Sequence, residues 1–90
     1  MNFTWNEVKR QANLKKHGLD FADAEIVFSG GVFTFEDDRF AYGEQRFISL
    51  GLLGSVVVVM AHTESEDTVR LISMRKAEKH EQQLYFTNGG

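Results

Sequence analysis

The spacing of apolar residues along the 90-residue chain changes once, dividing it into a helical front and a sheet-forming remainder. Phe3-Thr4-Trp5 reads as a short opening strand. Thr4 followed three residues on by Glu7 has the spacing of a capping box, which predicts a helix beginning near Trp5 or Asn6. That helix is expected to turn Val8, Ala12 and Leu14 inward and to expose Lys9, Arg10, Lys15 and Lys16. Its end falls at Gly18, a residue suited to the left-handed cap conformation. Asp20 then opens a second short helix in which Phe21, Ala24, Val27 and Phe28 share one side, until Gly30-Gly31 stops it.

From Val32 onward the period is two. Residues 32–36 form a strand with Asp37-Asp38 as its turn, and residues 44–53 a longer strand bent or bulged at Gly51. Gly54-Ser55 has hairpin-turn composition, and the β-branched run over residues 56–62 predicts a central strand buried on both faces. Residues 64–67 make a charged turn and residues 68–74 the next strand. Ser73 then stands where it can cap a final helix carrying Ala77, Glu81, Leu84 and Tyr85 at helical spacing. The order β-α-α-β-β-β-β-α describes an α+β fold, with N-terminal helices on a meandering antiparallel sheet followed by a C-terminal helix. With helices on one side, the other face of the sheet is expected to be free for a ligand.

Composition narrows this to a single domain over residues 1–90, since so short a chain closes only one hydrophobic core. Apolar residues make up 42%, including eight phenylalanines, enough to fold without covalent staples. The chain has no cysteine, which agrees with a reducing compartment, and the cytoplasm is the expected location. The N-terminus lacks an apolar leader region, and the longest apolar stretch, residues 55–61, is too short to span a bilayer.

The net charge of -3 speaks against a generic nucleic-acid binder, but its distribution changes the picture. Residues 1–18 set Lys9, Arg10, Lys15 and Lys16 against Glu7, and residues 70–80 set Arg70, Arg75, Lys76 and Lys79 against Glu78. Residues 20–44 between them hold seven acids and only Arg39. If the two basic ends meet, they form a positive groove suited to a phosphate backbone; otherwise both are ordinary solvated faces.

Several short motifs, weak singly, gain force from their order. Phe3, Trp5, Lys9, Asn13 and Lys16-His17-Gly18 are followed by Phe21, Ala24 and Phe28, then Glu44, Arg46 and Gly51. The run Arg70-x-Ile72-Ser73-x-Arg75-x-Ala77 leads on to Glu81 and Tyr85. In this the chain resembles the BrnT family of toxins, with Asn6 standing where the family has Asp and Met74 where it has a small residue. The resemblance implies a RelE-like fold and a ribonuclease toxin of a type II toxin-antitoxin system that inhibits translation. It implies a BrnA-like ribbon-helix-helix antitoxin as partner and RNA as substrate, with operator DNA reached only through the antitoxin. Homodimerisation is compatible with it, and neither a membrane nor a cofactor is expected.

Cleaving RNA without metal requires activating a 2′-hydroxyl, stabilising charge on a phosphorane-like transition state and protonating the leaving 5′-oxygen. Arginine suits the second role through its fixed fork of donors, which makes Arg46, Arg70 and Arg75 the candidates. Arg75 is favoured because it follows the Ser73 cap, where backbone N–H groups would also face a phosphate. Arg46 either emerges near a strand end or is buried against a carboxylate such as Glu44. Imidazole titrates near neutrality, so His17 is the candidate proton shuttle; beside a capping glycine it can equally donate to the helix-end carbonyls. Lys9 and Lys16, two turns apart on one helix, are candidate phosphate-binding cations. Tyr85 is a candidate for stacking on a base, or packs against the sheet. His62 and His80 read as structural or surface residues, and no zinc spacing is present. Two rivals stand beside the enzyme: an inactive toxin-like module that still binds an antitoxin and co-represses its operon, and a direct nucleic-acid binder.

Overall fold

A computed structural model describes residues 1–88. The elements run β1 (Asn2–Trp5), α1 (Glu7–His17), a 3-10 turn (Phe21–Asp23), α2 (Ala24–Ser29), β2 (Phe33–Asp37), β3 (Arg46–Leu53), β4 (Val56–Ser65), β5 (Thr68–Lys76) and α3 (Lys79–Asn88). They form an α+β fold around one five-stranded sheet in the order β1-β5-β4-β3-β2. The four later strands are antiparallel neighbours in sequence order, whereas β1 lies parallel to β5, with Asn2 opposite Thr68 and Trp5 opposite Leu71. The sheet is therefore mixed rather than a pure antiparallel meander.

Helices cover both faces rather than one. On the first face α1, the 3-10 turn and α2 enclose Phe21, Ala24 and Val27 against Val58, Met60, Val69, Leu71 and Met74. On the second, α3 sets Tyr85 against a cluster of Ile48, Leu50, Val57, Val59 and Ala77. Residues 57–60 of β4 are all buried, as a β-branched strand enclosed from both sides requires. Burying each such side chain stabilises the fold by roughly 1.5–3 kcal/mol before entropy is counted.

The first helix departs from its expected facing. Val8 is 78% exposed and Ala12 is also exposed, while Arg10, Asn13 and His17 turn inward with Leu14. Asn13 explains the inversion. Its amide donates to the carbonyls of Leu19 and Met74 at 3.1 and 2.9 Å and accepts from the Met74 N–H at 3.0 Å, pinning α1 to β5 with polar bonds. Arg10 adds two bonds to Asp20 at 2.7 and 3.0 Å, which hold that carboxyl down to about 2. Asp20 also caps the 3-10 turn through the Ala22 N–H.

Other boundaries shift for local reasons. Thr4 stays in β1, and Asn6 caps α1 by accepting from the Lys9 N–H. Gly18 ends α1 at φ 70°, as the cap expectation required. Gly51 sits in regular register opposite Val58, without a bulge. A Cβ there would lie 2.5 Å from Val27 Cγ1 and 2.9 Å from Val32 Cγ1, so the glycine lets α2 approach the sheet. The bulge lies instead between β4 and β5, where Ala61 faces Ser73 and His62 faces Leu71, leaving Ile72 as the extra residue. β5 continues past Met74, pairing Arg75 with Val59 and Lys76 with Val58. Ser73 is thus a strand residue and caps nothing, and α3 begins only at Lys79.

Candidate active site

Period two along the strands decides which side chains share a face. Arg46 lies on the Ile48/Leu50 side of β3, Arg75 stands opposite Val59, and Arg70 opposite Thr63. All three candidate arginines therefore stand on the α3 face of the sheet, and each is held by a carboxylate. Arg75 makes a two-pronged bond to Glu81, with both distances 2.8 Å, and a longer one to the Lys76 carbonyl. Glu81 Oε1 also accepts the Glu78 N–H at 2.8 Å, tying the start of α3 to the same carboxylate. The bond to Arg75 holds the Glu81 carboxyl below its ordinary range, and that to Glu81 raises the guanidinium.

Glu44 bridges the other two arginines, accepting from Arg70 at 2.8 Å and from Arg46 at 3.5 Å. The Arg46 guanidinium lies over the Tyr42 ring, 4.0 Å from its centroid. Arg46 thus emerges at the start of β3, as the first sequence alternative has it, and pairs there with an exposed Glu44 rather than being buried against it. Asp37 is the last residue of β2 and is buried, not a free turn acid. It accepts from Arg39 at 2.7 and 3.0 Å and from the Tyr42 hydroxyl at 3.0 Å, and the Arg39 bonds hold its carboxyl down to about 2.

The two basic ends of the chain do meet, because α1 packs on β5. One hollow of about 300 Å³ is lined by Lys9, Asn13, Lys16, His17 and Ser73. A second, of about 410 Å³, is lined by Lys16, His17, Arg75, Lys76 and Glu78. Lys16 and His17 belong to both, so the hollows run together as a cationic groove. The cap at this helix end is made by backbone, with the Gly18 N–H donating to the Leu14 carbonyl at 2.8 Å. Arg75 reaches the groove from within β5, one residue before its end, so no helix start at Ser73 assists it, and the Glu78 N–H at the true start is already taken.

Tyr85 is 3% exposed in the core of the α3 face, where packing leaves no ring surface to stack on a base. His80 is exposed on α3. His62 is fully buried, its Nε2 sharing a hydrogen bond with Ser49 Oγ at 2.7 Å, and that hydroxyl another with Thr34 Oγ1 at 2.6 Å. Its Nδ1 has no partner, and burial pushes the imidazole down to about 4, against a partial offset from the Thr63 backbone. This neutral, enclosed histidine lies among Phe28 and Phe47, in the first face rather than in the groove. Sequence reasoning overlooked Arg39, Tyr42 and Glu81 as groups of the site. The spacing Asp37-x-Arg39-x-x-Tyr42 was a usable signal for the first two, whereas the Glu81 bond depends on where α3 docks. Among the described residues, no group of three or more His, Asp or Glu side chains is arranged to hold a metal ion. No helix among them is long and apolar enough to cross a membrane.

The molecule is a small α+β protein built on one mixed sheet, with lysine, histidine and arginine gathered along its α1–β5 seam. The family of ribonuclease toxins named BrnT, of type II toxin-antitoxin systems, matches residues 5–81, and the chain belongs to it. The crystal structure of the Brucella abortus ribonuclease toxin BrnT is similar, at 30% identity and a TM-score of 0.66, over 88% of this chain and 99% of that one. No curated protein sequence matches the chain. It is accordingly a ribonuclease toxin, and its type II system implies an antitoxin partner.

Proposed function

We propose that the chain cleaves RNA by attack of a 2′-hydroxyl on the adjacent phosphorus, with no metal taking part. A base removes the 2′-proton, the new O–P bond forms as the P–O5′ bond breaks, and the leaving 5′-oxygen takes a proton, giving a 2′,3′-cyclic phosphate end. In this reading Arg75 and Arg46 stabilise the phosphate in the transition state, and His17 carries a proton as acid or base. Lys9, Lys16 and Arg70 hold the RNA backbone. A BrnA-like ribbon-helix-helix antitoxin neutralises the toxin in the cytoplasm and carries it to operator DNA. The observation that supports the reading best is the joining of the two basic ends, which brings Lys16, His17 and Arg75 around one hollow.

The test is cleavage of end-labelled RNA by purified toxin freed of antitoxin, in excess EDTA, comparing wild type with Arg75→Ala. The expected result is cleavage that survives EDTA, leaves cyclic phosphate ends and falls at least ~100-fold in the variant, as loss of a transition-state donor does, with an unchanged circular dichroism spectrum. Wild-type turnover by Arg75→Ala removes Arg75 from the chemistry. The pairing of Arg75 with Glu81, and of Arg46 and Arg70 with Glu44, favours a second reading. In it these ion pairs are purely structural, and the chain is an inactive module that binds an antitoxin and co-represses. Antitoxin binding without any RNA cleavage is its signature.

A further inference from the structure

The α3 face is only partly covered. Tyr85 seals the end around Leu50 and Val57, while Phe35 on β2 remains 39% exposed. Between them lies a cavity of about 290 Å³ whose apolar floor is Phe35, Ile48 and Val59 and whose rim includes Asp38, Arg39 and Arg75. Arg75 lines this cavity and the cationic groove alike. A phosphate held by Arg75 therefore stands at the mouth of a hollow with an aromatic wall.

The carboxylates around the cavity are not equivalent. Asp37 is occupied by Arg39 and Tyr42, and Glu81 by Arg75 and the start of α3. Glu36 and Asp38 are both exposed and make no ion pair or side-chain hydrogen bond among the described residues, but Glu36, opposite Phe47, alternates with Phe35 onto the other face of β2, which leaves Asp38 at the rim beside the aromatic wall. An ionised carboxylate only accepts, and its two oxygens match two parallel N–H donors. Guanine offers such a pair, N1–H and N2–H, side by side on its Watson–Crick edge. Adenine and cytosine present a single amino group, and uracil one imino group between two carbonyls that a carboxylate repels. Guanidinium donors at the same rim suit the O6 and N7 acceptors of guanine. Pockets of a few hundred Å³ suit one small ligand, so an unpaired base fits and a base pair does not.

We propose that this cavity is a nucleobase subsite selecting an unpaired guanine next to the phosphate at Arg75, with Phe35 stacking on the base and Asp38 reading its N1–H and N2–H edge. The proposal rests on the reading of the groove as the RNA-cleaving site, and its test separates the two. Wild-type toxin is titrated with the four nucleoside 3′-monophosphates and followed by amide chemical shifts in NMR spectra. The guanosine nucleotide is expected to bind at least ~5-fold tighter than the others, about what one good hydrogen-bond pair provides, with shifts centred on residues 35–39.

Asp38→Asn should erase that preference while inorganic phosphate still shifts the amide of Arg75. Phe35→Ala should weaken all four nucleotides, and Phe35→Tyr, which keeps the ring, should restore them. Equal binding of the four, or guanosine shifts remote from residues 35–39, overturns the subsite. Mapping cleavage sites on randomised RNA gives the second arm. Cuts beside guanine that become indifferent in Asp38→Asn uphold the subsite, and indifferent cuts by wild type overturn it while leaving the ribonuclease reading intact. Guanosine-selective binding without any cleavage upholds the subsite and overturns the ribonuclease reading.

Discussion

On the face covered by α1 and α2, Phe21, Val27, Val58, Met60 and Met74 are completely buried, and of the polar groups enclosed with them Asn13 bonds to the backbone of Leu19 and Met74 and Ser49 to His62. On the α3 face, Arg46, Arg70 and Arg75 stand on the same sheet beside a core of six residues that α3 covers at one end. The first face is sealed, so a change there alters stability. The second leaves charged side chains half-exposed and matched by carboxylates, so on the proposed reading a change there alters RNA cleavage more than stability. A sheet this small carries both because β5 contributes to each, with Val69, Leu71 and Met74 to the sealed core and Arg70 and Arg75 to the other side.

The comparison breaks most readily at Asn13. Asn13→Ala leaves the Met74 N–H and the Leu19 and Met74 carbonyls unpaired in the interior. It should cost about 3 kcal/mol or more in urea unfolding, because buried groups stripped of partners lose their full solvation. A loss under ~1 kcal/mol, the size of one ordinary hydrogen bond, would mean that α1 docks by other means.

His62 tests the same face through pH. Its folded value of about 4 lies below the ordinary 6.5, so the unfolded chain takes up the proton first as pH falls. The contribution is fully present above pH 6.5 and is lost progressively toward pH 4, reaching on the order of 3 kcal/mol. In His62→Leu the unfolding midpoint should change little between pH 7 and pH 5; an equally steep loss in the variant would assign the effect elsewhere.

Gly51→Ala probes how closely α2 rides on the sheet. The added methyl meets Val27 and Val32 at distances no real contact shows, and should cost about 2 kcal/mol, the usual penalty for overpacking. Thermal melts at matched concentration measure it. On the α3 face the expected stability change is smaller. Glu81→Gln weakens a half-exposed ion pair and should cost only about 0.5–1 kcal/mol. Its RNA-cleavage rate should nevertheless fall several-fold, since Arg75 loses the partner that orients it; unchanged kinetics would leave Glu81 a helix tie and no more.

What the sequence made legible follows from the range of the interactions. Strands with strict alternation, the buried run in β4, the Gly18 cap and the apolar side of residues 21–28 depend on near neighbours, and they appear as read. The inward face of α1 could not be read from apolar spacing, because Arg10 and Asn13 make it through polar bonds to partners that only the fold supplies. The end of β5 was misjudged because Ser73 is a good cap by composition, while the ladder to Val58 and Val59 outweighs that preference. In the groove the residue types were visible in advance, but their meeting was a conditional. The ties of Arg75 to Glu81 and of Arg39 to Asp37 depend on docking and on a loop whose path no local rule gives.

The parallel pairing of β1 with β5 has a consequence for synthesis. Asn2 emerges from the ribosome long before Thr68, its partner in the sheet, and α1 must likewise wait for Met74. Contacts so distant along the chain close late and slowly. The groove takes His17 from the early segment and Arg75 from the late one, so a nascent chain carries no assembled groove while most of it is being translated. On the proposed reading of the groove, the interval before β5 arrives keeps a ribosome-bound chain inactive by topology alone.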